Sequence, residues 1–456
     1  MKSILIDMFP ANGHYSAILK LAKVLDNNGL HVVVSGDIEF KQRVEKQGLE
    51  YLTANPLLLI PQKSLKKLGQ KRSLFQKKTI YVSKRKEEWM ENLERWEASI
   101  LPIDPSLVLL DEQNALKAGA YMSLGIPVAF FQTKPDTRKI NGIPPFTCYF
   151  VPQFTAISNW YSCFLWLIKE IKPRCKQQLR KLKLIGTDDI TVYLSAYKEI
   201  GIALSNRIDI IRSFGIGIKG LSRIVVSPAP FDFPHDEVPS VYRVGPLVDI
   251  RREGKIDQPR YQILIKNIEK HRENPKSRII YASMGTISGQ DLPRCTRFFL
   301  RMEKVARMNP DSLFVLATGK AFDINLLLPL PNNLMVFETV PQVDLLQKCD
   351  IMVTHGGMNS ITECVFCEVP MLVYPLSRKW DQPGNSARVV YLGLGLRGRI
   401  ERDSAKTISR KINLLIDNYP NYKDNVLKMK QKFEEKNNST EIVTIIESLL
   451  SNSTKN

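Results

Sequence analysis

The chain has 456 residues, of which 44% are hydrophobic and 24% charged, and its 65 Lys and Arg against 46 Asp and Glu give a formal net charge of +19. This length predicts two domains, and the composition excludes a low-complexity or repeat protein. The positive charge favours anionic partners such as nucleotides or an acidic membrane surface, whereas the lack of a nucleic-acid-binding motif argues against nucleic acid.

The first part of the chain alternates strand and helix patterns. SILIDMF (3–9) and HVVVSG (31–36) are typical of buried strands, and SAILKLAKVLDNNG (16–29) between them has a helical periodicity that ends at Asn-Gly. Two further strands are predicted at PSLVLLDEQ (105–113) and IPVAFFQT (126–133). This alternation predicts a parallel α/β sheet.

The N-terminus is not typical of a signal peptide, because its apolar run is short and Asp7 interrupts it. No stretch approaches the length of uncharged apolar sequence that a membrane-spanning helix needs. These two features predict a cytoplasmic protein.

Two segments concentrate the positive charge, KSLKKLGQKRSLFQKK (63–78) and KEIKPRCKQQLRKLK (169–183). The second directly follows FTCYFVPQFTAISNWYSCFLWLI (146–168), which is rich in aromatic residues. Basic residues beside a broad apolar segment are typical of a membrane-surface patch. A buried core helix with a basic continuation explains the same pattern, and the sequence does not decide between them.

The second half begins after a polar, Gly/Pro-punctuated linker at 240–259. Five strands follow it: RIIYASMG (278–285), SLFVLATG (312–319), NLMVFETV (333–340), DIMVTHGG (350–357) and VPMLVYP (369–375). Helical runs separate them, and a charged helical tail ends the chain. We predict two doubly wound domains that divide near residue 246.

Three short motifs resemble cofactor or metal sites but lack the context that such sites need. GIGIKG (215–220) and GLGLRG (393–398) match the glycine pattern of dinucleotide-binding loops, yet the first precedes a strand and the second follows a helix. Cys364 and Cys367 form a C-x-x-C pair without further ligands to complete a zinc site. We expect no NAD or FAD and no metal ion, and interpret the cysteines as small apolar residues on a packed helix.

The stretch DIMVTHGGMNSITECVFC (350–367) predicts a strand, a tight turn and a helix. The helix N-terminus presents free N–H groups and partial positive charge, and Gly356 and Gly357 let a ligand approach the backbone closely. His355, at the end of the strand, can donate to a phosphate oxygen. The turn therefore predicts an anion site, most simply for phosphate.

Polar residues of the following helix extend this site. Asn359 and Ser360 can cap the helix or donate to the ligand, and Glu363 lies on the same face as Asn359 one turn further on. A carboxylate repels phosphate but suits a ribose, so the pattern favours a nucleotide over the alternative of a capped helix with an unrelated histidine.

Two more strand-end loops are expected at the same edge of the sheet. SMGT (283–286) has a glycine between the two hydroxyl-bearing residues Ser283 and Thr286. WDQPGNS (380–386) brings Asp381 and Gln382, which can accept from and donate to vicinal hydroxyls.

These motifs together resemble a known family. VPQ (340–342) with THGGMNSITECVFCEVPMLVYPLSRKWDQPGNSARVVYLGLG (354–395) resembles the donor-binding signature of family 1 UDP-glycosyltransferases. ANGHYSAILKLAKVLDNNGLHVVV (11–34), YRVGPL (242–247) and YASMGT (281–286) are similar to other segments of that family. The N-terminal half is also similar to bacterial macrolide-type and carotenoid glucosyltransferases.

The resemblance implies an α/β protein of the GT-B fold, with two doubly wound Rossmann-like parallel-sheet domains facing a cleft. Residues 1–246 would bind the acceptor, residues 247–430 would bind the nucleotide sugar, and residues 431–456 would form a C-terminal helical tail.

The resemblance also implies donor-binding roles: Ser283 and Thr286 near the phosphates, Val340 and Gln342 at the base, His355, Gly357, Asn359 and Ser360 at the diphosphate, Glu363 at the ribose, and Asp381 and Gln382 at the transferred sugar. One position departs from the pattern. Thr339 stands where many relatives have a tryptophan that stacks on uracil, which leaves the backbone of Val340 to contact the base and makes a strict uridine preference uncertain.

Glycosyl transfer needs a base that takes a proton from the acceptor hydroxyl, and a histidine suits this near neutral pH. His14 follows the first strand and Asp111 ends the strand SLVLLD, so both are expected at one sheet edge. In the resemblance His14 matches the family's base and Asp111 its partner. The adjacent Glu112 could take the place of Asp111.

The implied reaction is inverting transfer of a hexose, such as glucose, from a UDP-sugar to a hydroxyl of a lipophilic acceptor, with no cofactor and no metal. TKPDTRKINGIPPF (133–146) and the aromatic segment after it are expected to line the acceptor pocket. Peripheral contact with the inner face of the membrane would suit such an acceptor. The alternatives are a UDP-sugar epimerase of the same fold and a non-catalytic UDP-sugar-binding protein.

Overall fold

The computed structural model describes residues 2–53, 57, 74–182, 189–213, 215–247, 258–285, 289, 291–436 and 439–452. Most of the basic segment 63–78, half of the predicted linker, and Thr286 lie outside the described residues. No helix among the described residues is long and apolar enough to cross a bilayer.

The N-terminal domain is built on a parallel sheet with the strand order β3-β2-β1-β4-β5-β8-β9 among the described residues. Its strands are β1 (Ser3–Asp7), β2 (His31–Ser35), β3 (Glu50–Leu52), β4 (Leu107–Asp111), β5 (Val128–Gln132), β8 (Arg223–Val225) and β9 (Val241–Arg243). The central strands are continuous apolar runs because helices cover both faces of the sheet.

The helices of this half are α1 (Asn12–Asn27), α2 (Lys41–Glu45), α3 (Leu74–Ile100), α4 (Ala118–Ser123), α5 (Ala156–Lys181) and α6 (Asp189–Glu199). A short antiparallel pair, β6 (Ile208–Asp209) and β7 (Gly217–Ile218), contains two residues of the first glycine motif. Helix α1 begins four residues before the predicted periodic segment, so His14 lies in the first helical turn instead of a preceding turn.

The C-terminal domain has a parallel sheet with the order β12-β11-β10-β13-β14-β15 among the described residues. Its strands are β10 (Ile279–Ser283), β11 (Leu313–Ala317), β12 (Leu334–Phe337), β13 (Ile351–Thr354), β14 (Met371–Val373) and β15 (Gly395–Arg397). Both sheets therefore have the doubly wound order, which confirms the predicted fold class.

The helices of the C-terminal half are α7 (Gln258–Arg272), α8 (Leu292–Met308), α9 (Gln342–Leu346), α10 (Met358–Phe366), α11 (Gln382–Tyr391), α12 (Ala405–Asp417) and α13 (Tyr419–Lys436). Cys364 on α10 is buried in the core of this domain, with its Sγ 3.1 Å from Met352 Sδ, and Cys367 packs half-buried against the same core. Both cysteines thus pack as small apolar residues.

The last described helix, α14 (Ser439–Asn452), returns to the N-terminal domain. Ile442, Ile446 and Leu450 of α14 belong to the same hydrophobic core as residues of α1. In contrast, α13 packs on the C-terminal core through Val426 and Phe433. The predicted tail therefore begins inside α13, and its two helices pack on different domains.

A buried ion pair joins the two halves. Arg388 on α11 donates from Nε and Nη2 to Oδ1 of Asp232, which lies between β8 and β9, at 2.9 and 2.6 Å. The guanidinium lies between the rings of Phe146 and Phe233, 4.5 and 4.4 Å from their centroids. Burial alone would raise the pKa of Asp232, but Arg388, His235 and Arg243 hold it far below its usual range.

Candidate active site

The N-termini of α1 and α10 lie next to each other across the cleft between the two sheets. Each helix starts at the point where the strand order of its sheet reverses, between β1 and β4 and between β10 and β13. Such reversal points open a crevice at the carboxyl ends of the strands. The side chain of Asn359 on α10 donates from Nδ2 to the carbonyl of Gly13 at 3.0 Å. His14 and the predicted phosphate turn are therefore neighbours in the folded chain.

His14 and Asp111 form the pair predicted from their strand ends. Nδ1 of His14 lies 2.5 Å from Oδ2 of Asp111, and Oδ1 of the aspartate accepts the backbone N–H of Gln113 at 3.0 Å. Burial would raise the pKa of Asp111, but His14, the Gln113 N–H and Lys134 lower it overall. A carboxylate that stays ionised holds the proton of the imidazole on Nδ1.

The other imidazole nitrogen faces a residue that the sequence did not single out. Nε2 of Gln113 lies 2.9 Å from Nε2 of His14. Because Nδ1 carries the proton toward Asp111, Nε2 of the neutral ring is the acceptor and the amide of Gln113 donates. The Gln113 amide therefore occupies the position beside Nε2 of His14 where the hydroxyl of an acceptor would bind. Gln113 follows the strand-end Asp111 by two residues, and this position could have identified it from the sequence as a candidate site residue.

Glu112, the alternative partner of His14, is occupied elsewhere. Its carboxylate pairs with Nε of Arg223 at 2.9 Å and with Nη2 of Arg212 at 2.6 Å. All three side chains are buried. The geometry thus leaves Asp111 as the carboxylate that orients the imidazole.

A small cavity of about 20 Å³ opens beside the imidazole. Thr133, Lys134 and Thr137, from the segment predicted to line an acceptor pocket, form part of its wall. The cavity has room for about one water molecule, so it accommodates a hydroxyl group but not a sugar ring.

The turn before α10 encloses His355 between two glycines. A Cβ atom at Gly285 would lie 2.3 Å from Cε1 of His355, and a Cβ atom at Gly357 would lie 2.6 Å from its Nε2. Gly356 adopts a positive φ of 84°, which favours glycine. Larger residues at Gly285 or Gly357 would displace the imidazole. Glycine is therefore needed here to make room for His355, as well as to let a ligand approach the backbone.

His355 is a buried, neutral imidazole. Burial lowers its pKa to about 4, against the opposing effect of nearby Asp381. Nδ1 has no hydrogen-bond partner among the described residues despite its burial. Since buried polar atoms are almost always paired, an unpaired ring nitrogen at a helix N-terminus suits a ligand oxygen.

The start of α10 differs from the prediction in one detail. Gly357 is the N-cap and no side chain caps the helix, so Asn359, which the sequence left as a cap or a direct donor, is not a cap. Its amide bridges to Gly13 in the other domain, as described above. The N–H groups of the first turn remain available to an anion.

Gln342, Ser360 and Glu363 form one hydrogen-bond network. Nε2 of Gln342 donates to Oε2 of Glu363 at 2.6 Å and lies 3.3 Å from Oγ of Ser360, while its Oε1 accepts from Tyr281 at 3.1 Å. Glu363 is buried. Gln342 thus holds the carboxylate of Glu363 in place through Oε2.

Three of the remaining predicted positions lie among the described residues. Thr339 is exposed and Val340 packs half-buried against the C-terminal core. Oγ of Ser283 accepts the N–H of Gly285 at 3.3 Å, and Thr286 lies outside the described residues.

Asp381 and Gln382 begin α11 at the same sheet edge. Oε1 of Gln382 accepts the N–H groups of Leu376 and Ser377 at 2.7 and 3.0 Å, which leaves only its amide N–H groups for a ligand. Asn385, which the sequence did not indicate, donates from Nδ2 to the carbonyl of Gly356 at 2.8 Å and to Asp381 at 3.1 Å. Asn385 thereby fixes the phosphate turn against the predicted sugar-binding pair.

Comparisons with known proteins show what the chain is similar to. Residues 301–449 match the family described as erythromycin biosynthesis protein CIII-like, C-terminal domain. The chain is 29% identical over 174 residues to the uncharacterized UDP-glucosyltransferase YdhE of Bacillus subtilis, covering 38% of this chain and 42% of YdhE. It is 27% identical over 189 residues to the zeaxanthin glucosyltransferase of Pantoea ananas, covering 41% and 40%.

The fold extends the likeness to the whole chain. The structure of the glycosyltransferase of kitacinnamycin superposes with a TM-score of 0.66 at 20% identity, covering 98% of each chain. By its C-terminal third and its fold, the chain is similar to the family 1 glycosyltransferases. The resemblance and the GT-B fold predicted from the sequence are thereby confirmed. The matched stretches span about two fifths of the length of the curated relatives.

The match to the glycosyltransferase C-terminal domain contains α9, α10 and α11. It therefore includes the predicted donor-binding residues from Val340 to Gln382. Ser283 and Thr286 precede the matched residues, as do His14 and Asp111. The predicted roles of Ser283, His14 and Asp111 therefore rest on the geometry of the folded chain and on the resemblance of their motifs, and that of Thr286 rests on the resemblance alone.

Proposed function

We propose that this chain is an inverting glycosyltransferase that transfers a hexose from a UDP-sugar to a hydroxyl of a lipophilic small molecule, with glucose as the first candidate sugar. The observation that carries this proposal is the His14–Asp111 pair, which faces the unpaired His355 at the start of α10 across the cleft. A base and an anion site on opposite walls suit one substrate hydroxyl and one diphosphate.

The reaction is a single displacement at the anomeric carbon. Nε2 of His14 takes the proton of the acceptor hydroxyl as that oxygen bonds to the anomeric carbon. The bond from this carbon to the β-phosphate oxygen breaks, and UDP leaves with the electron pair. Attack from the side opposite the leaving group inverts the configuration. Asp111 stabilises the imidazolium that forms.

The donor would be held by the C-terminal domain. The diphosphate would accept from His355 and from the first N–H groups of α10 beside Gly357, Asn359 and Ser360. Glu363 would bind the ribose, Asp381 and Gln382 the hexose, Val340 and Gln342 the base, and Ser283 and Thr286 the phosphates. We propose that no cofactor and no metal ion takes part, because these hydrogen-bond donors can stabilise the charge of the leaving diphosphate.

The proposed acceptor is lipophilic because α5, which carries many of the apolar and aromatic residues after residue 146, turns them toward solvent, where they can contact a lipid surface. One relative is by name a glucosyltransferase of zeaxanthin, a hydroxylated apolar molecule. A cytoplasmic enzyme at the inner face of a membrane could reach an acceptor of that class.

The fate of the donor tests the proposal. UDP release is measured from a panel of UDP- and TDP-sugars, with and without a mixture of lipophilic alcohols and phenols. Acceptor-dependent release with a new glycoside supports transfer. A new UDP-sugar would instead indicate an epimerase, and UDP-sugar binding without either product would indicate a non-catalytic binding protein.

Replacing Thr339 with tryptophan should strengthen UDP binding by on the order of tenfold, because an aromatic side chain at this exposed position can stack on the base. Isothermal titration calorimetry with UDP measures the change. Thr339→Leu is the control, since it adds apolar area without a ring system and should gain less. Equal gains by both variants would argue that the base does not lie beside residue 339.

His355 should act as a neutral hydrogen-bond donor instead of a cation. With a pKa of about 4, the ring is uncharged at neutral pH. His355→Ala should weaken UDP binding by roughly 10- to 100-fold, the cost of a lost hydrogen bond to a charged group, whereas His355→Gln, which retains an N–H donor, should lose only a few-fold.

The pH dependence of UDP binding distinguishes a neutral His355 from a protonated one. Because the ring of the free protein gains its proton only near pH 4, the ratio of wild-type to His355→Ala affinity for UDP should stay constant between pH 6 and 8 and rise below about pH 5. A ratio that falls steadily from pH 6 to 8 would show a protonated imidazole in that range.

A further inference from the structure

Helix α5 presents a large apolar surface to solvent. This surface, the apolar face of α5, consists of residues spaced three or four apart along the helix: Ile157, Trp160, Tyr161, Phe164, Leu167, Ile168 and Ile171. Ile157 is 81% exposed, Trp160 67% and Leu167 57%. Contiguous apolar patches of this kind usually mark a surface that binds something.

The inner side of α5 fixes this orientation. The indole N–H of Trp166 donates to the carbonyl of Ile143 at 2.7 Å. The buried carboxylate of Glu170 accepts from Lys139 and Arg174 at 2.9 and 2.8 Å. Rotating the helix to bury its apolar face would break these bonds and expose Trp166. The apolar face is therefore on the outside because polar contacts hold the other side.

Basic residues continue the same helix. Lys172 and Lys176 are exposed one turn apart beyond Ile171, and neither has a carboxylate partner among the described residues. The only acidic residue in the sequence of α5, Glu170, is neutralised on the inner side. An apolar face with Trp and Tyr near one end and lysines near the other is typical of a helix that lies in a membrane interface.

A groove beside this helix adjoins the candidate active site. It has a volume of about 510 Å³, and Ile168, Lys172 and Lys176 of α5 line one wall while Ile216 lines another. Gly215 borders both this groove and the small cavity beside His14. An apolar chain in the groove would therefore extend from the helix surface toward the imidazole.

We propose that α5 is an in-plane membrane-binding helix. Its apolar face inserts into the interface of an anionic lipid bilayer, where Lys172 and Lys176 pair with anionic headgroups. The adjoining groove then admits a bilayer-resident amphiphilic alcohol, whose hydroxyl reaches His14. The acceptor part of this inference rests on the proposed function, whereas the docking of α5 does not.

Vesicle sedimentation of the full chain tests the docking. The wild type should bind phosphatidylcholine vesicles that contain phosphatidylglycerol and bind pure phosphatidylcholine weakly. Ile157→Ser/Leu167→Ser, which removes apolar area, and Lys172→Glu/Lys176→Glu, which reverses the charge, should each lower partitioning by on the order of tenfold.

Matched double variants on the C-terminal domain control for general surface effects. Ile263→Ser/Leu414→Ser removes two similarly exposed apolar residues, and Lys266→Glu/Lys270→Glu reverses two lysines at the same spacing on α7. Both should bind vesicles as the wild type does. If the α5 variants bind no worse than these controls, the inference is overturned.

The depth of α5 distinguishes insertion from simple electrostatic adsorption. Trp160 is exposed, Trp89, Trp96 and Trp166 are buried, and the half-buried Trp380 lies in the C-terminal domain. Brominated lipids should quench wild-type fluorescence, and Trp160→Phe should lose this quenching while still sedimenting with vesicles. Absence of quenching in a bound wild type, or apolar-face variants that change a dimer to a monomer without affecting vesicle binding, would contradict insertion.

Activity assays separate this inference from the proposed function. If glycosyl transfer exists, Ile157→Ser/Leu167→Ser should lower kcat/KM about tenfold for a long-chain alcohol carried in vesicles and leave a short-chain, water-soluble homologue unchanged. Vesicle binding without any transfer would contradict the proposed function but not the membrane inference. Transfer to the soluble alcohol by a chain that does not bind vesicles would contradict the membrane inference but not the proposed function.

Discussion

Replacing His14 with alanine should lower kcat by on the order of 10²- to 10⁴-fold, the usual contribution of a general base. The affinity for UDP should change less than about twofold, because His14 belongs to the N-terminal wall of the cleft and the donor would be held by α10 and α11. The measurements are steady-state UDP release with a saturating acceptor and calorimetric titration with UDP.

Two further variants sharpen this test. Asp111→Asn should lose most of the same activity, since an amide can hold the wrong imidazole tautomer. His31→Ala is the matched control, because His31 starts β2, pairs with Glu50 and lies partly exposed at the far end of β1 from His14; it should keep wild-type turnover. Turnover of His14→Ala within about tenfold of wild type would exclude His14 as the base.

Replacing Arg388 with alanine should destabilise the protein by about 3–5 kcal/mol, the cost of breaking a buried ion pair by removing one partner. The Oδ1 atom of Asp232 would lose both donors from the guanidinium, and the rings of Phe146 and Phe233 would lose the group between them. Urea unfolding followed by circular dichroism measures the loss as a lower midpoint.

The pH dependence of that loss follows from the depressed pKa of Asp232. A carboxyl whose pKa is lower in the folded than in the unfolded chain stabilises the fold above the unfolded pKa of about 3.9 and loses this effect as the pH falls further. The difference between wild type and Arg388→Ala should therefore be constant from pH 7 to about 5 and shrink below about 4.

Lys428→Ala provides the contrast. It breaks a pair with Asp424 in which both side chains are mostly exposed, and such pairs contribute less than about 1 kcal/mol. An equal effect of Lys428→Ala and Arg388→Ala would show that burial does not govern the Asp232–Arg388 contact.

The strands and the phosphate turn were predictable from sequence for a local reason. Parallel strands covered on both faces are continuous apolar runs, and the residues that follow them meet at one sheet edge. The same rule placed His14 next to Asp111, although 97 positions separate them in the chain.

Contacts that depend on the packing of distant segments could not be predicted. Arg388 and Asp232 are 156 positions apart and come from different domains, and neither has a local pattern that points to the other. Asn385 resembles any polar residue of a helix until its contacts with Gly356 and Asp381 are known.

Helix α5 shows a different limit. Helical periodicity reveals that one face is apolar but not which face the protein buries. Here the buried side contains Ser158, Ser162 and Glu170, and the exposed side is the more apolar one. The usual assumption that the apolar face points inward would therefore have assigned this helix to the core.

The return of α14 to the N-terminal domain has a consequence for biosynthesis. Ile442, Ile446 and Leu450 complete a core that otherwise comes from the first half of the chain. During translation, the N-terminal sheet emerges from the ribosome long before these residues do. The C-terminal domain has all its strands by Arg397 and its helix α13 by Lys436. We therefore expect the domain made first to be completed last, after its neighbour has folded.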